Sequence, residues 1–279
     1  MFNYHYGSRQ EVEEKEVQIL LSMKRMLPRW LNGLPDSVFI AIYELLNELG
    51  TSALSEKKKI VLVETGVGVS TLAAVYCALK YDGIVYSWDP NGEKGSQIGS
   101  FLNETVCPVF SRFLGDHWKH IAWESTSPDI GLAVLSELTD HVDYFLHDSD
   151  HVWQTIEQEL DMISPLLTDG SIVAVDDAQY NYKYKNEFTI NILRKKLGLN
   201  KLTFNGNNCQ PIYKLVESHL FEQWSTVQNV AENYRKNYRN DPTINYYYPT
   251  EGPKLTLPLH DDQKHRFEAW KVSNRLLCV

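Results

Sequence analysis

Residues 59–80 read KIVLVETGVGVSTLAAVYCALK, and this stretch decides the fold. Lys59–Glu64 is a short, continuous apolar run rich in β-branched residues, the pattern of a parallel strand buried on both faces. A turn carrying Gly66 and Gly68 follows, and a helix is predicted from about Val69 to Lys80. The same order then recurs. IVYSWD is a second strand ending at Asp89, and a helix is expected over Ile98–Phe113. A third strand is expected near His120–Glu124, a helix over Asp129–Leu138, a fourth strand at Asp143–His147 (DYFLH) and a helix over His151–Leu167. The turn Thr168-Asp169-Gly170 leads into SIVAVD, then a basic helix over Tyr182–Leu197 and a strand pair at Lys201–Asn205 and Ile212–Glu217. Strand–helix alternation of this kind predicts an α/β fold, a doubly wound, mostly parallel seven-stranded sheet with right-handed crossovers.

Outward from this unit the pattern changes. Two amphipathic helices precede it, one over Glu11–Trp30 interrupted at Pro28, the other starting at Asp36 or Ser37 and ended by Gly50. They read as an N-terminal helical addition, residues 1–58, on a sheet domain of residues 59–217. Residues 218–279 read as a C-terminal addition: one amphipathic helix from Leu220 to Tyr238, an irregular Tyr/Asn/Pro-rich stretch, and a short helix over Asp261–Arg275.

The 279 residues carry 27 Lys+Arg against 36 Asp+Glu, a formal charge of −9, which disfavours a partner bound through its phosphates, such as nucleic acid. No apolar run approaches the roughly 20 residues that span a bilayer, and the polar, acidic start lacks a secretory signal's order. The four cysteines (Cys77, Cys107, Cys209, Cys278) form no CxxC pair, so a reducing cytoplasm is the expected compartment. The expected partner is a small-molecule substrate, with no nucleic acid and no membrane; a homo-oligomer stays open.

Gly66 and Gly68 sit where open α/β sheets bind nucleotide-like ligands, at the carboxyl end of the first strand. Asp89, at the end of the second strand, can accept from both hydroxyls of a ribose; the bland alternative is a turn residue before Pro90. Dinucleotide sites place a third glycine where Thr71 stands here, so that a helix N-terminus meets a pyrophosphate. Glu64 would repel that pyrophosphate and attract a cationic ligand instead. Both observations point away from NAD and toward S-adenosylmethionine (SAM), whose sulfonium and ammonium groups are positive.

ETGVGVST at Glu64–Thr71, SWDP at Ser87–Pro90, LHDSDH at Leu146–His151 and LLTDGSIVAVDD at Leu166–Asp177 together resemble class I SAM-dependent methyltransferases. The resemblance is to the branch with a D-G-D-H motif, which includes small-molecule O-methyltransferases and cephalosporin-biosynthesis-like proteins. Catechol and caffeoyl-CoA O-methyltransferases are more distantly similar. It implies that Glu64, Gly66 and Gly68 line the methionine portion of SAM, that Ser70, at a position often held by glycine, belongs to the same cofactor site, that Asp89 holds the ribose, and that Ser125 meets the adenine edge. Ser149 departs from the pattern, standing in place of the motif's glycine.

Asp148, Asp176 and Asp177 gather at two neighbouring strand ends, where three carboxylates need a compensating cation or protons. An all-oxygen set suits a divalent ion such as Mg²⁺. In the metal-dependent relatives such an ion holds the acceptor hydroxyl, which implies Asp148 as both ligand and catalytic residue. The alternative is that Asp148 orients SAM or substrate while Asp176 and Asp177 cap the next helix. His151 is placed to deprotonate or contact the acceptor, or is structural. The expected activity is O-methylation of a small-molecule hydroxyl, on a natural product or saccharide. Competing readings are a metal-independent N- or O-methyltransferase, an NAD(P)-binding oxidoreductase, and a non-catalytic protein that keeps the fold.

Overall fold

The computed structural model of the chain describes residues 9–34, 36–150, 153–176, 209–211 and 268–272. Strand β1 (Val61–Thr65) is buried at every position, as a central strand covered on both faces must be. Its neighbours are β2 (Ile84–Trp88) on one side and β4 (Val142–His147) on the other, with β3 (Trp118–Ile121) beyond β2 and β5 (Leu167–Val175) beyond β4, all parallel. Two more segments, β6 (Cys209–Pro211) and β7 (Glu268–Val272), complete one sheet among the described residues, in the order β3-β2-β1-β4-β5-β7-β6. Strand β7 runs antiparallel to both β5 and β6. The expected doubly wound, mostly parallel sheet is therefore present, and the strand order reverses beside β1, where such sheets open a crevice.

Helix α3 (Val69–Tyr81) is buried on nearly every side. A helix apolar all round needs cover opposite the sheet, and the N-terminal addition supplies it. Helices α1 (Arg9–Met26) and α2 (Asp36–Glu56) flank the single 3₁₀ turn Arg29–Leu31 that follows Pro28. Leu20, Leu27, Phe39, Ile42 and Leu46 share one core with Leu72, Val75 and Leu79 of α3 and with Leu62 and Leu146 of the sheet. Glu16 anchors the cover: its Oε2 accepts from Tyr43 Oη at 2.6 Å and from Lys80 Nζ at 2.6 Å. A second core on the opposite face holds Val63, Phe145 and Val173 against Ile156, Leu160 and Ile163 of α7 (Trp153–Ile163).

Several sequence expectations are corrected. Helix α2 runs through Gly50 instead of ending there, because a Cβ at Gly50 would strike the Tyr81 ring. The glycine is a packing notch. Helix α4 (Gly92–Thr105) starts before Ile98, since Asn91 Oδ1 accepts from the backbone N–H groups of Glu93 and Lys94, and a short α5 (Cys107–Phe110) follows it. The helix expected over Asp129–Leu138 shortens to the 3₁₀ turn Leu132–Val134 and one turn of α6 (Leu135–Leu138). Within the segment expected as a terminal helix, Asp261–Arg275, the chain instead forms β7, whose backbone completes the pairing of β5. The expected helix Tyr182–Leu197, the strands Lys201–Asn205 and Ile212–Glu217, and the helix Leu220–Tyr238 lie outside the described residues. Among the described residues no helix is long and apolar enough to cross a membrane.

Candidate active site

The carboxyl ends of β1, β2 and β4 carry the site. Gly66 has φ +92°, and a Cβ there would strike the carbonyl oxygen of Asp148, so both conformation and close approach require glycine. Its N–H donates to the Trp88 carbonyl at 2.7 Å, and the Asp148 N–H donates to the Thr65 carbonyl at 2.9 Å. These bonds lock three strand ends together. Gly68 is extended (φ −174°), and a Cβ there would lie 3.3 Å from the Leu31 carbonyl of the N-terminal cover. The cover therefore reaches the glycine turn itself.

Glu64 is buried at the head of this turn. Its Oε1 accepts from Thr71 Oγ1 at 2.5 Å and Ser87 Oγ at 2.7 Å, and its Oε2 from Ser70 Oγ at 3.1 Å. Burial pushes its pKa up to about 7, against the pull of the three hydroxyls and with a further push from Asp89. The sequence places Ser70 beside the donor; the structure ties its hydroxyl to Glu64. Asp89 is also buried, with Oδ2 accepting from the Val67 N–H at 2.9 Å and Oδ1 from the Asn91 N–H at 2.8 Å. Lys94 Nζ lies 3.4 Å from it. Glu64 and Asp89 are thus brought into one another's field across the glycine turn.

Asp148 follows β4 and Asp176 follows β5, where its N–H donates to the His147 carbonyl at 3.0 Å. Both carboxylates, with Glu64, act on Tyr144, whose pKa is driven well up by burial first and by these three charges next. Among the described residues the buried Tyr144 hydroxyl has no hydrogen-bond partner. Asp177 and His151 lie outside the described residues. Among the described residues no group of three or more His, Cys, Asp or Glu is arranged to hold a metal ion. Ser125 is buried after β3, but its hydroxyl points inward and donates to Glu159 Oε1 at 2.5 Å.

Residues 63–178 match the model of a family described as a methyltransferase domain. This segment spans the glycine turn, Asp89, Asp148 and Asp176. Over these residues the chain is similar to methyltransferase domains. No protein of curated function matches the chain in sequence. Among solved structures the chain is similar to CalS11, a TDP-rhamnose 3'-O-methyltransferase of calicheamicin biosynthesis, at 16% identity, covering 73% of this chain and 93% of that one with a TM-score of 0.46. It is also similar to an O-methyltransferase from Bacillus cereus in complex with SAH (14% identity, 72% and 82% coverage, TM-score 0.42). A third is a precorrin-6y C5,15-methyltransferase from Geobacter metallireducens (15% identity, 53% and 71% coverage, TM-score 0.36). These likenesses are too loose in shape to carry an assignment of their own.

Sequence reasoning missed His147 and Glu159 of this domain. Both are fully buried, and His147 Nδ1 lies 2.6 Å from Glu159 Oε2. The signal was there to read. Glu159 stands on the apolar stripe Ile156, Leu160, Ile163 of α7, where a solvated glutamate does not belong.

Proposed function

We propose that this methyltransferase transfers the methyl group of SAM to a hydroxyl of a small molecule, a natural product or a saccharide. The observation that carries the donor reading is Glu64. Among the described residues its carboxylate has hydroxyl partners and no cationic one. Asp89, which Lys94 approaches, lies close enough to act on Glu64, so the pocket around Glu64 favours a cationic ligand. In this reading Glu64, the Gly66–Gly68 turn and Ser70 face the methionine portion, Asp89 the ribose, and the loop carrying Ser125 the adenine side.

In the transfer step the acceptor oxygen forms a bond to the methyl carbon as the carbon–sulfur bond breaks. The electron pair of that bond goes to sulfur, which becomes the neutral thioether of S-adenosylhomocysteine (SAH). The hydroxyl proton leaves to a base. The sulfonium already activates the methyl, so alignment of donor and acceptor and removal of this proton are what the protein must supply. Asp148, half-buried at the end of β4, and His151 are the groups assigned to that proton.

A divalent cation at Asp148, Asp176 and Asp177 is the finer form of the proposal. When bound, it would hold the acceptor oxygen and lower its pKa. Metal-independent transfer is the alternative. Calorimetric titration with SAM and SAH tests the donor reading, and absence of binding overturns it. Radiolabelled methyl transfer to a panel of catechols, phenols and sugar diols, with and without EDTA, tests the rest. Turnover unchanged by EDTA would remove the cation and leave the transfer.

A further inference from the structure

Helix α7 buries a carboxylate that neither the donor nor the acceptor reading uses. Glu159 takes four hydrogen bonds: Oε2 from Thr65 Oγ1 at 3.0 Å and His147 Nδ1 at 2.6 Å, Oε1 from Ser125 Oγ at 2.5 Å and Ser149 Oγ at 2.7 Å. Four donors fill the capacity of a carboxylate. Burial pushes its pKa up, but the His147 ring and the Ser125 and Ser149 hydroxyls outweigh that and hold it below the ordinary range. An ionised carboxylate only accepts, so Nδ1 of His147 is the donor in this bond.

The donors come from four segments that meet at the carboxyl edge of the sheet. They are the end of β1, the loop after β3, the end of β4 and the loop entering α7. Two of them, His147 and Ser149, flank Asp148 on either side in sequence. Ser149 stands where the D-G-D-H pattern has glycine, and its hydroxyl, which glycine lacks, makes one of the four bonds. The departure from the motif thus has a structural counterpart in Glu159.

We propose that Glu159 is a positioning residue that couples the adenosyl side of the mouth, through Ser125, to the acceptor side, through Ser149 and the adjoining Asp148. The coupling rests on the SAM reading above for what the two sides bind. A change in the Ser149 side chain should therefore be felt by the donor chiefly through Glu159, the partner of its hydroxyl.

The test uses the full chain and SAH in calorimetric titrations of wild type, Ser149→Ala, Glu159→Gln and the double variant. Ser149→Ala is expected to weaken SAH about fivefold and Glu159→Gln about tenfold, and the double variant is expected to match Glu159→Gln alone. A purely structural role would lower the melting temperature while leaving the dissociation constant of the folded, one-to-one fraction unchanged. That result, or effects that simply multiply, would overturn the proposal. Where Glu159→Gln does not fold, Ser125→Ala and Ser149→Ala replace it, with a less than multiplicative double effect expected and a multiplicative one refuting. Wild type that binds no SAH sinks the donor reading instead. Amide exchange then decides the coupling. The Leu132 N–H donates to the Ser125 carbonyl at 2.7 Å. It should exchange faster in Ser149→Ala, and an unchanged rate overturns the coupling.

Discussion

Glu64→Gln is the most direct probe of the electrostatics of the mouth. In the folded, ligand-free protein the Glu64 pKa rises from 4.5 to about 7, chiefly because burial disfavours its charge. A carboxyl whose folded pKa is raised binds its proton more tightly when folded than when unfolded. Its contribution to stability is therefore fully present below pH 4.5, fades as pH rises, and is gone above about pH 7. At about 1.4 kcal/mol per pH unit the whole effect is about 3–4 kcal/mol, most of which falls between pH 5 and pH 8. Glutamine carries no such charge. Its NH₂ cannot accept from the hydroxyls of Ser70, Thr71 and Ser87, so one of them must turn away, at a pH-independent cost of about 1 kcal/mol. Urea denaturation of both proteins from pH 5 to pH 8 measures the difference. Wild type is expected to lose about 2–3 kcal/mol relative to Glu64→Gln across that range. A bound sulfonium favours the ionised carboxylate and expels its proton, so wild-type affinity for SAM should climb with pH up to about 7, while Glu64→Gln stays flat. Parallel stability profiles for the two proteins would refute the reasoning, because Glu64 would then titrate as if exposed.

Other expectations follow from single contacts. Gly66→Ala must hold φ +92° and push against the Asp148 carbonyl, so thermal melts should show a loss of about 2–4 kcal/mol. Asp89→Ala strips the Val67 and Asn91 N–H groups of their acceptors and should cost about 1–3 kcal/mol in urea. The same variant should weaken SAH binding in calorimetry, whereas Asp176→Ala should leave SAH affinity nearly intact and lower acceptor turnover. Equal loss of SAH binding in both would mean the two carboxylates share one role. Glu16→Ala removes the acceptor shared by Tyr43 and Lys80 and should loosen α1 from α3. An unfolding free energy lower by about 2–3 kcal/mol in urea, with faster amide exchange in α1, is the expected result.

Much of the chemistry was local and hence legible in residues 59–177. Buried parallel strands read as apolar runs, and strand ends carry the acidic and glycine residues of the mouth, so Glu64, Gly66, Asp89 and Asp148 could be placed on strand and turn from their neighbours alone. The polar partners could not. The bond from Ser125 to Glu159 joins residues far apart in sequence, and only packing of α7 against the sheet reveals that the serine hydroxyl faces inward. Gly50 looked like a helix end because glycine terminates helices as a rule. Its actual task, making room for the Tyr81 ring, exists only once α2 lies on α3. Strand β7 was misread as a helix because a short segment has too weak a preference of its own to resist the open edge of β5.

By itself, then, the order of residues determined the alternation of strands and helices and the acidic, glycine-bearing strand ends, since these depend on periodicity and near neighbours. Tertiary structure alone decided which oxygen faces which donor: that Glu64 is ringed by three hydroxyls, that Glu159 gathers four segments, and that an N-terminal turn touches Gly68. The physical reason is that hydrogen bonds and burial are properties of distance in space. Residues separated by dozens of positions acquire them only when the sheet and its helices close around them.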